Sequence, residues 1–333
     1  MADKVRFGLI GAGTVADYGH LPALSSMPEA ELVLVADVSK ENLARASEKF
    51  GVSGTSDYHE LLERSDIEAV SICTPVETHR RIAVDAAKAG KAVLCEKPLA
   101  NTAEDAQAIV EAVKETGVIF AVDYHLRVTE TYMAVKSAID SGKIGRLEVM
   151  RFVLNWGCHG IKGPMGERRA NFMRTGGPML DNGVHFFDLV HWYSGSEVDE
   201  IVAEGQWVEP EFEYPGHVIA LARMKSGALA MLEMSFVYGH TTKDKPNADA
   251  HEVIGSDGVI DGKRIYTREG FEQLPASEEG KRFDRVYGEL IRCIRCGSME
   301  GSPLAKAEDG AKAAEAAIRA VEAAMSRKPP SRD

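Results

Sequence analysis

The stretch Val5-Arg6-Phe7-Gly8-Leu9-Ile10-Gly11-Ala12-Gly13-Thr14-Val15-Ala16 decides the fold. A short, mostly apolar run ends in G-x-G-x-x-A, and a helix-compatible segment follows. Gly11 and Gly13 permit a tight turn and close backbone approach to a pyrophosphate, and the small Ala16 lets the helix pack on the strand. Free amides at the start of that helix would face the phosphates. By itself the glycine pattern is weak. Its place at a strand-to-helix junction strengthens it, as does Asp37, 21 residues after Ala16 at the end of the next apolar run. The plain alternative is a glycine turn followed by a surface aspartate. A carboxylate at Asp37 can accept both adenosine-ribose hydroxyls and would repel a 2′-phosphate. Positions 38 and 39 hold no arginine, and Lys40 is the nearest cation. NAD is therefore expected over NADP.

Working outward, Val5–Ile10, Leu32–Ala36, Ala69–Cys73, Ala92–Cys95 and Val118–Val122 read as strands. Val15–Ser26, Glu41–Phe50, Val76–Ala89 and Ala103–Thr116 read as helices between them. The strands lack clean alternation, as expected where both faces of a parallel sheet are covered. This rhythm predicts an α/β domain with a doubly wound parallel sheet over residues 1–124. Beyond it, Leu147–Asn155, Val198–Val208, His217–Met224 and Ala228–Phe236 follow one another as strands, with a hairpin at Met224–Ala228. Residues 125–333 are thus expected to form an α+β domain with a mainly antiparallel open sheet, whose free face can serve a homodimer or homotetramer. Gly157–Met179 reads as a long irregular loop and Lys243–Asp249 as a polar one, with a terminal helix along Ala314, Ile318, Val321 and Met325.

Composition agrees with this reading. A length of 333 residues suggests two domains, at roughly 150 residues each. The net charge of −12 is opposite to that of a nucleic-acid binder. No run is long enough to span a membrane, and no apolar signal core follows Met1-Ala2-Asp3-Lys4. Five scattered cysteines make no disulfide framework, so a reduced, cytoplasmic setting is expected. Cys293-Ile294-Arg295-Cys296 lacks a second pair to complete a zinc set, and its thiols are expected on a helix. Cys73 and Cys95 read as small core hydrophobes.

Two segments carry candidate chemistry. Glu96-Lys97-Pro98 follows the strand Ala92–Cys95, at the end of a parallel sheet where ligands bind. A strand-end ion pair is the alternative. Farther on, Asp181, His185 and Asp188 fall at i, i+4 and i+7, so a helix would place them on one face amid Val184, Phe186, Phe187, Leu189 and Val190. Such ionisable groups need partners or a cleft. An imidazole titrates near neutrality and suits a general base, Asp181 can orient it, and Lys97 can stabilise a developing oxyanion. The same face could hold a metal, but a nearby lysine argues against a cation and none is expected.

Together these residues resemble the Gfo/Idh/MocA oxidoreductases. The resemblance rests on Gly11–Ala16, Cys73-Thr74-Pro75 with His79, Glu96-Lys97-Pro98, Gly176-Gly177…Asp181…His185…Asp188, and Glu308-Asp309-Gly310. It implies a Rossmann domain followed by an α+β domain, with the active site between them. It further implies cofactor contacts from Gly11, Gly13, Val15, Asp37, Thr74, Pro75, His79, Glu96 and Lys97, and catalysis by Lys97, Asp181 and His185. Where many members carry Asn-x-Arg-aromatic, this chain has His125-Leu126-Arg127-Val128. His125, Arg127, Trp156, Arg168, Arg169, Arg174 and Asp188 are the substrate candidates. His20 can approach the cofactor, end the helix or lie at the surface. The implied activity is hydride transfer between NAD and a secondary hydroxyl or ketone of a sugar, polyol or derivative. A glycosidase of the same fold that uses NAD transiently, or a non-catalytic dinucleotide-binding regulator, would share much of the pattern.

Overall fold

The computed structural model describes residues 3–156, 170–238, 247–275 and 282–328. The chain forms two compact units, Met1–Thr129 with Glu278–Ala311, and Glu130–Ser277 with Lys312–Asp333. A single boundary after residue 124 differs from this packing, because a late segment returns to the first unit. Helical periodicity marks the helix Phe283–Cys296 but carries no signal of which sheet it covers.

In the first unit six parallel strands run in the order β3-β2-β1-β4-β5-β6: Val5–Ile10, Ala30–Ala36, Ser53–Thr55, Ala69–Ile72, Ala92–Cys95 and Phe120–Val122, numbered along the chain. The order reverses between β1 and β4, the switch point where an open parallel sheet binds ligands beyond its carboxyl ends. Phe7, Leu9, Val70 and Leu94 are fully buried, as the unbroken apolar runs require. Ser39 caps the helix Lys40–Phe50 by accepting the Asn42 N–H at 3.3 Å. The expected helix Val15–Ser26 is wound differently. Ala16–His20 is a π-helical turn, with residues 14–15 before it and Leu21–Ser26 after it α-helical. One extra residue per turn leaves no mark in an apolar pattern, and such turns are common at functional sites.

The second unit holds an eight-stranded sheet, ordered β14-β13-β12-β11-β7-β10-β9-β8. Its strands are β7 Leu147–Asn155, β8 Val198–Gln206, β9 His217–Met224, β10 Leu229–Ser235, β11 Ala248–Gly255, β12 Gly258–Asp261, β13 Arg264–Thr267 and β14 Gly270–Gln273. All neighbours are antiparallel except β10 and β7. β9 alternates cleanly, with Val218, Ala220, Ala222 and Met224 buried. The row Ala203, Ala220, Leu232, Phe152 and His251 continues that inner face across the register. Phe186 of the buried helix Val184–Ser194 packs there, 5.1 Å from the Phe152 ring. The sequence pattern missed β11 to β14. The polar loop expected at Lys243–Asp249 ends early, since β11 begins at Ala248. Residues 243–246 lie outside the described residues, as do 157–169 of the expected long loop. Residues 170–174 of that loop are helical.

His251 lies in an aromatic stack, 4.8 Å from the Tyr132 ring and 5.1 Å from Phe152. Its Nε2 is buried with no hydrogen-bond partner among the described residues. Burial pushes its pKa down from 6.5 to about 4. The unfolded chain therefore takes up a proton below pH 6.5 that the fold refuses until about pH 4. Stability contributed by neutral His251 is complete above pH 6.5 and falls across that window, by up to ~3 kcal/mol. His251→Phe should flatten the acid limb of a plot of unfolding free energy against pH. His79 and His217, also depressed by burial, would leave a residual slope. Parallel acid limbs for the two proteins would refute the assignment.

Candidate active site

The first-unit candidates converge on one end of the parallel sheet. Gly11 follows β1, Asp37 follows β2, Cys73 and Thr74 follow β4, Glu96 and Lys97 follow β5, and Asp123 follows β6. Gly11 has φ +92°, and a Cβ there would lie 2.8 Å from the Cys73 backbone. Only glycine lets these two loops approach so closely. A Cβ on Gly13 would meet nothing within 4 Å, leaving the open approach a pyrophosphate needs. Val15 is half-buried in the turn that follows.

Asp37 does more than its position suggested. Its Oδ2 accepts the Ala12 N–H at 2.6 Å and the Asn42 side-chain N–H at 3.1 Å, and its Oδ1 accepts the Ser39 N–H at 2.7 Å. Arg45 donates to the Ala12 carbonyl at 2.8 Å and to Asn42 Oδ1 at 2.8 Å. The carboxylate thus holds the glycine turn from β2, with Asn42 and Arg45 completing the brace. Sequence reading missed both residues and named Lys40, which is exposed. A helical spacing of three behind a cap is their only sequence signal.

Thr74 is half-buried and Pro75 exposed, whereas His79 is buried. Its Nδ1 lies 3.0 Å from the Pro98 carbonyl oxygen and its Nε2 2.9 Å from that of Thr74. Burial lowers its pKa, favouring the neutral ring. A neutral ring carries one N–H, so His79 donates to one of these carbonyls and packs against the other, where the loop after β4 meets Glu96-Lys97-Pro98. Glu96 is buried, Lys97 is half-buried, and Glu96 Oε2 accepts the Lys97 backbone N–H at 3.1 Å.

His20 stands at the end of the π turn, as one expectation had it, and not at the surface. It is wholly buried, with Nε2 2.9 Å from Glu96 Oε1 and 3.7 Å from Asp123 Oδ2. Its Nδ1 lies 2.8 Å from the Tyr287 hydroxyl, which lies 2.7 Å from Ser71 Oγ. His20, Glu96 and Asp123 bring ligand-type atoms within 4.8 Å of one another. Asp181, His185 and Asp188 form no such cluster among the described residues.

Arg127 is 4% exposed and pairs with Asp309 at 3.3 Å. Gly310 stands where a Cβ would lie 2.6 Å from Val122. Asp309-Gly310 is therefore a packing element of the first unit, and Arg127 is engaged within it. His125, in the same 3₁₀ turn, is half-buried.

In the second unit Asp181 lies in a π-helical turn, Met179–Gly183, that runs into the helix Val184–Ser194. The segment is helical, as the spacing predicts, but the π turn shifts Asp181 off a pure α phase. Asp181 is half-buried, while His185 and Asp188 are buried. Met179 Sδ would lie 2.5 Å from a Cβ on Gly183, so this turn winds around a glycine. Trp156 is half-buried beyond β7, and Arg174 is exposed. Arg168 and Arg169 lie outside the described residues.

Residues 5–124 match the oxidoreductase family model with an NAD-binding Rossmann fold, and residues 132–261 match the C-terminal domain model of the same family. The chain is 32% identical over 263 residues to a myo-inositol 2-dehydrogenase of Thermotoga maritima, covering 77% of this chain and 74% of that one. It is 30% identical over 335 residues to a 1,5-anhydro-D-fructose reductase of Ensifer adhaerens, covering 96% of each. The crystal structure of scyllo-inositol dehydrogenase from Lactobacillus casei with NAD(H) and scyllo-inositol shares the fold, with a TM-score of 0.81 at 22% identity over 96% of this chain and 97% of that one.

Proposed function

This chain belongs to the Gfo/Idh/MocA oxidoreductase family, and we propose that it transfers a hydride between NAD and a secondary hydroxyl or ketone of a sugar or polyol. The observation that carries this reading is the gathering of the glycine turn, Asp37 and Glu96-Lys97 at one end of the parallel sheet. The first unit fits a dinucleotide: Gly13 leaves room for phosphate and Asp37 presents a carboxylate for a ribose. NAD, when bound, supplies the hydride acceptor. Lys97 donates a hydrogen bond to the reacting oxygen and stabilises its developing charge. His185 takes the hydroxyl proton, or returns it in the reduction, and Asp181 orients the imidazole. His125, Trp156, Arg174 and Asp188 are assigned to substrate recognition.

The test is a panel of inositols, anhydrosugars and aldoses, followed by NADH absorbance and product analysis. NADH formation stoichiometric with a keto product supports the dehydrogenase. Cleavage of a glycoside without net NADH would replace it with a glycosidase, and dinucleotide binding without turnover would point to a regulator.

We further assign the enzyme to the cytoplasm and to a homodimer or homotetramer. The thiols of Cys73, Cys95, Cys293 and Cys296 are free, which suits a reducing compartment. The sheet face opposite the buried row carries Leu229, Val149, Ile254, Val259, Tyr266 and Phe271 in one register row across six strands, with Phe271 67% exposed. An apolar stripe of that length is costly in water and suits a second copy of the chain. Light scattering at micromolar concentration should give a multiple of 36.2 kDa, and Tyr266→Glu with Phe271→Glu should lower it. A monomer mass for the unaltered protein would refute the assembly.

A further inference from the structure

Among the described residues, the buried polar cluster with the clearest chemistry is the chain Ser71, Tyr287, His20 and Glu96. The catalytic roles assigned above make no use of Ser71, Tyr287 or His20. His20 ends the π turn that begins at Ala16, so it is rigidly joined to the glycine turn. Glu96 and Lys97 follow β5. A carboxylate only accepts, so His20 Nε2 carries the proton it gives to Glu96 Oε1 at 2.9 Å. The other Glu96 oxygen accepts the Lys97 backbone N–H at 3.1 Å. On the far side Tyr287, whose phenol burial holds well above its ordinary pKa, meets His20 Nδ1 at 2.8 Å and Ser71 Oγ at 2.7 Å.

The arrangement is costly for mere packing. His20, Ser71 and Tyr287 are fully buried, Asp123 and Glu96 nearly so, and apolar residues of similar volume usually serve a core as well or better. The surroundings also fix its geometry. A Cβ on Gly19 would strike the Phe283 ring at 2.4 Å, and that ring packs edge-on to His20 at 4.6 Å. Tyr287 packs edge-on to Phe7 of β1 at 5.5 Å. The segment that supplies Phe283 and Tyr287 returns to this unit from far along the chain.

We propose that His20, braced by Tyr287, is a positioning residue: it fixes the Glu96 carboxylate, which orients Lys97, and so joins the glycine turn to the catalytic lysine. The proposal rests on the reading of Lys97 as catalytic, and it adds residues that touch neither substrate nor the reacting atoms. A lysine backbone held from one side only would let the ammonium wander, and displacements of about 1 Å at a reacting group can cost about 10²-fold in rate.

The test uses the full-length enzyme with NAD and the polyol of the panel that gives turnover. His20→Ala should lower kcat about tenfold or more, with NADH affinity by titration within about threefold of the unaltered enzyme. His20→Gln, whose amide can still donate to Glu96, should recover part of kcat. Tyr287→Phe keeps the ring and its packing, removes only the hydroxyl, and should lower kcat about threefold to tenfold. Thermal unfolding is followed for each variant. Should His20→Ala fail to fold, His20→Gln and Tyr287→Phe decide. Loss of thermal stability with unchanged kcat in these variants, while Lys97→Ala is inactive, would overturn the positioning role and leave the catalytic reading standing. Full turnover in Lys97→Ala would overturn both.

Discussion

Lys97→Ala and His185→Ala should each lower turnover by roughly 10²-fold or more, the usual scale for losing general acid–base or oxyanion help. NADH affinity should change much less, because the glycine turn and Asp37, assigned to the phosphates and the ribose, remain in both variants. Gly11, Gly13 and the Asp37 brace stand on β1 and β2, whereas Lys97 follows β5 and His185 belongs to the second unit. Asp181→Asn should cost less than His185→Ala, since an amide oxygen can still accept from an imidazole. The double variant Lys97→Ala/His185→Ala should lose less than the product of the two single losses, as groups acting on one reacting oxygen do. Steady-state turnover and a separate NADH titration on each variant check this. Near-normal turnover in both single variants would leave Lys97 as the end of a strand and His185 as a satisfied core histidine.

The parts of this site that were legible in the sequence are local ones. The glycine turn falls where the sequence put it, after β1, because its geometry is set within six residues, and Asp37 falls after β2 because it ends the very next long strand. Glu96-Lys97 reads as a site only because a buried strand precedes it. What stayed hidden was held together across the chain. Tyr287 lies 267 residues from His20, and Glu96 lies 76 away, so no spacing could join them. Arg45 reaches the Ala12 carbonyl across 33 residues. The two π turns were hidden for another reason. They alter winding without altering which residues are apolar, so the pattern at Val15–Ser26 looked like an ordinary helix. β12 to β14 are four residues each, and β14 is exposed throughout, which leaves no half-buried alternation to detect.

Asp37→Ala should weaken NADH by roughly 10- to 100-fold, more than the loss of ribose contacts alone would predict. The carboxylate has two tasks. Toward a bound dinucleotide it offers acceptors to the ribose hydroxyls and repels a 2′-phosphate. Toward its own fold it accepts the Ala12 N–H at 2.6 Å and the Ser39 N–H at 2.7 Å, so alanine also unties the turn that faces the phosphates. NADPH should consequently gain little in Asp37→Ala, because relief of the repulsion is offset by the loosened turn. Asp37→Asn separates the tasks. Its one amide oxygen can keep the Ala12 bond while the negative charge is gone, so NADH should weaken less and the preference over NADPH should narrow more. Arg45→Ala removes the second tie on Ala12, the 2.8 Å bond to its carbonyl, without touching the charge at Asp37. It should weaken both dinucleotides by similar factors and leave their ratio unchanged. Parallel titrations of NADH and NADPH with the three variants check the scheme. Tighter NADPH than NADH binding by the unaltered enzyme would refute the role of Asp37 in selection. Equal losses in the alanine and asparagine variants, with the preference intact in both, would refute the division of its two tasks.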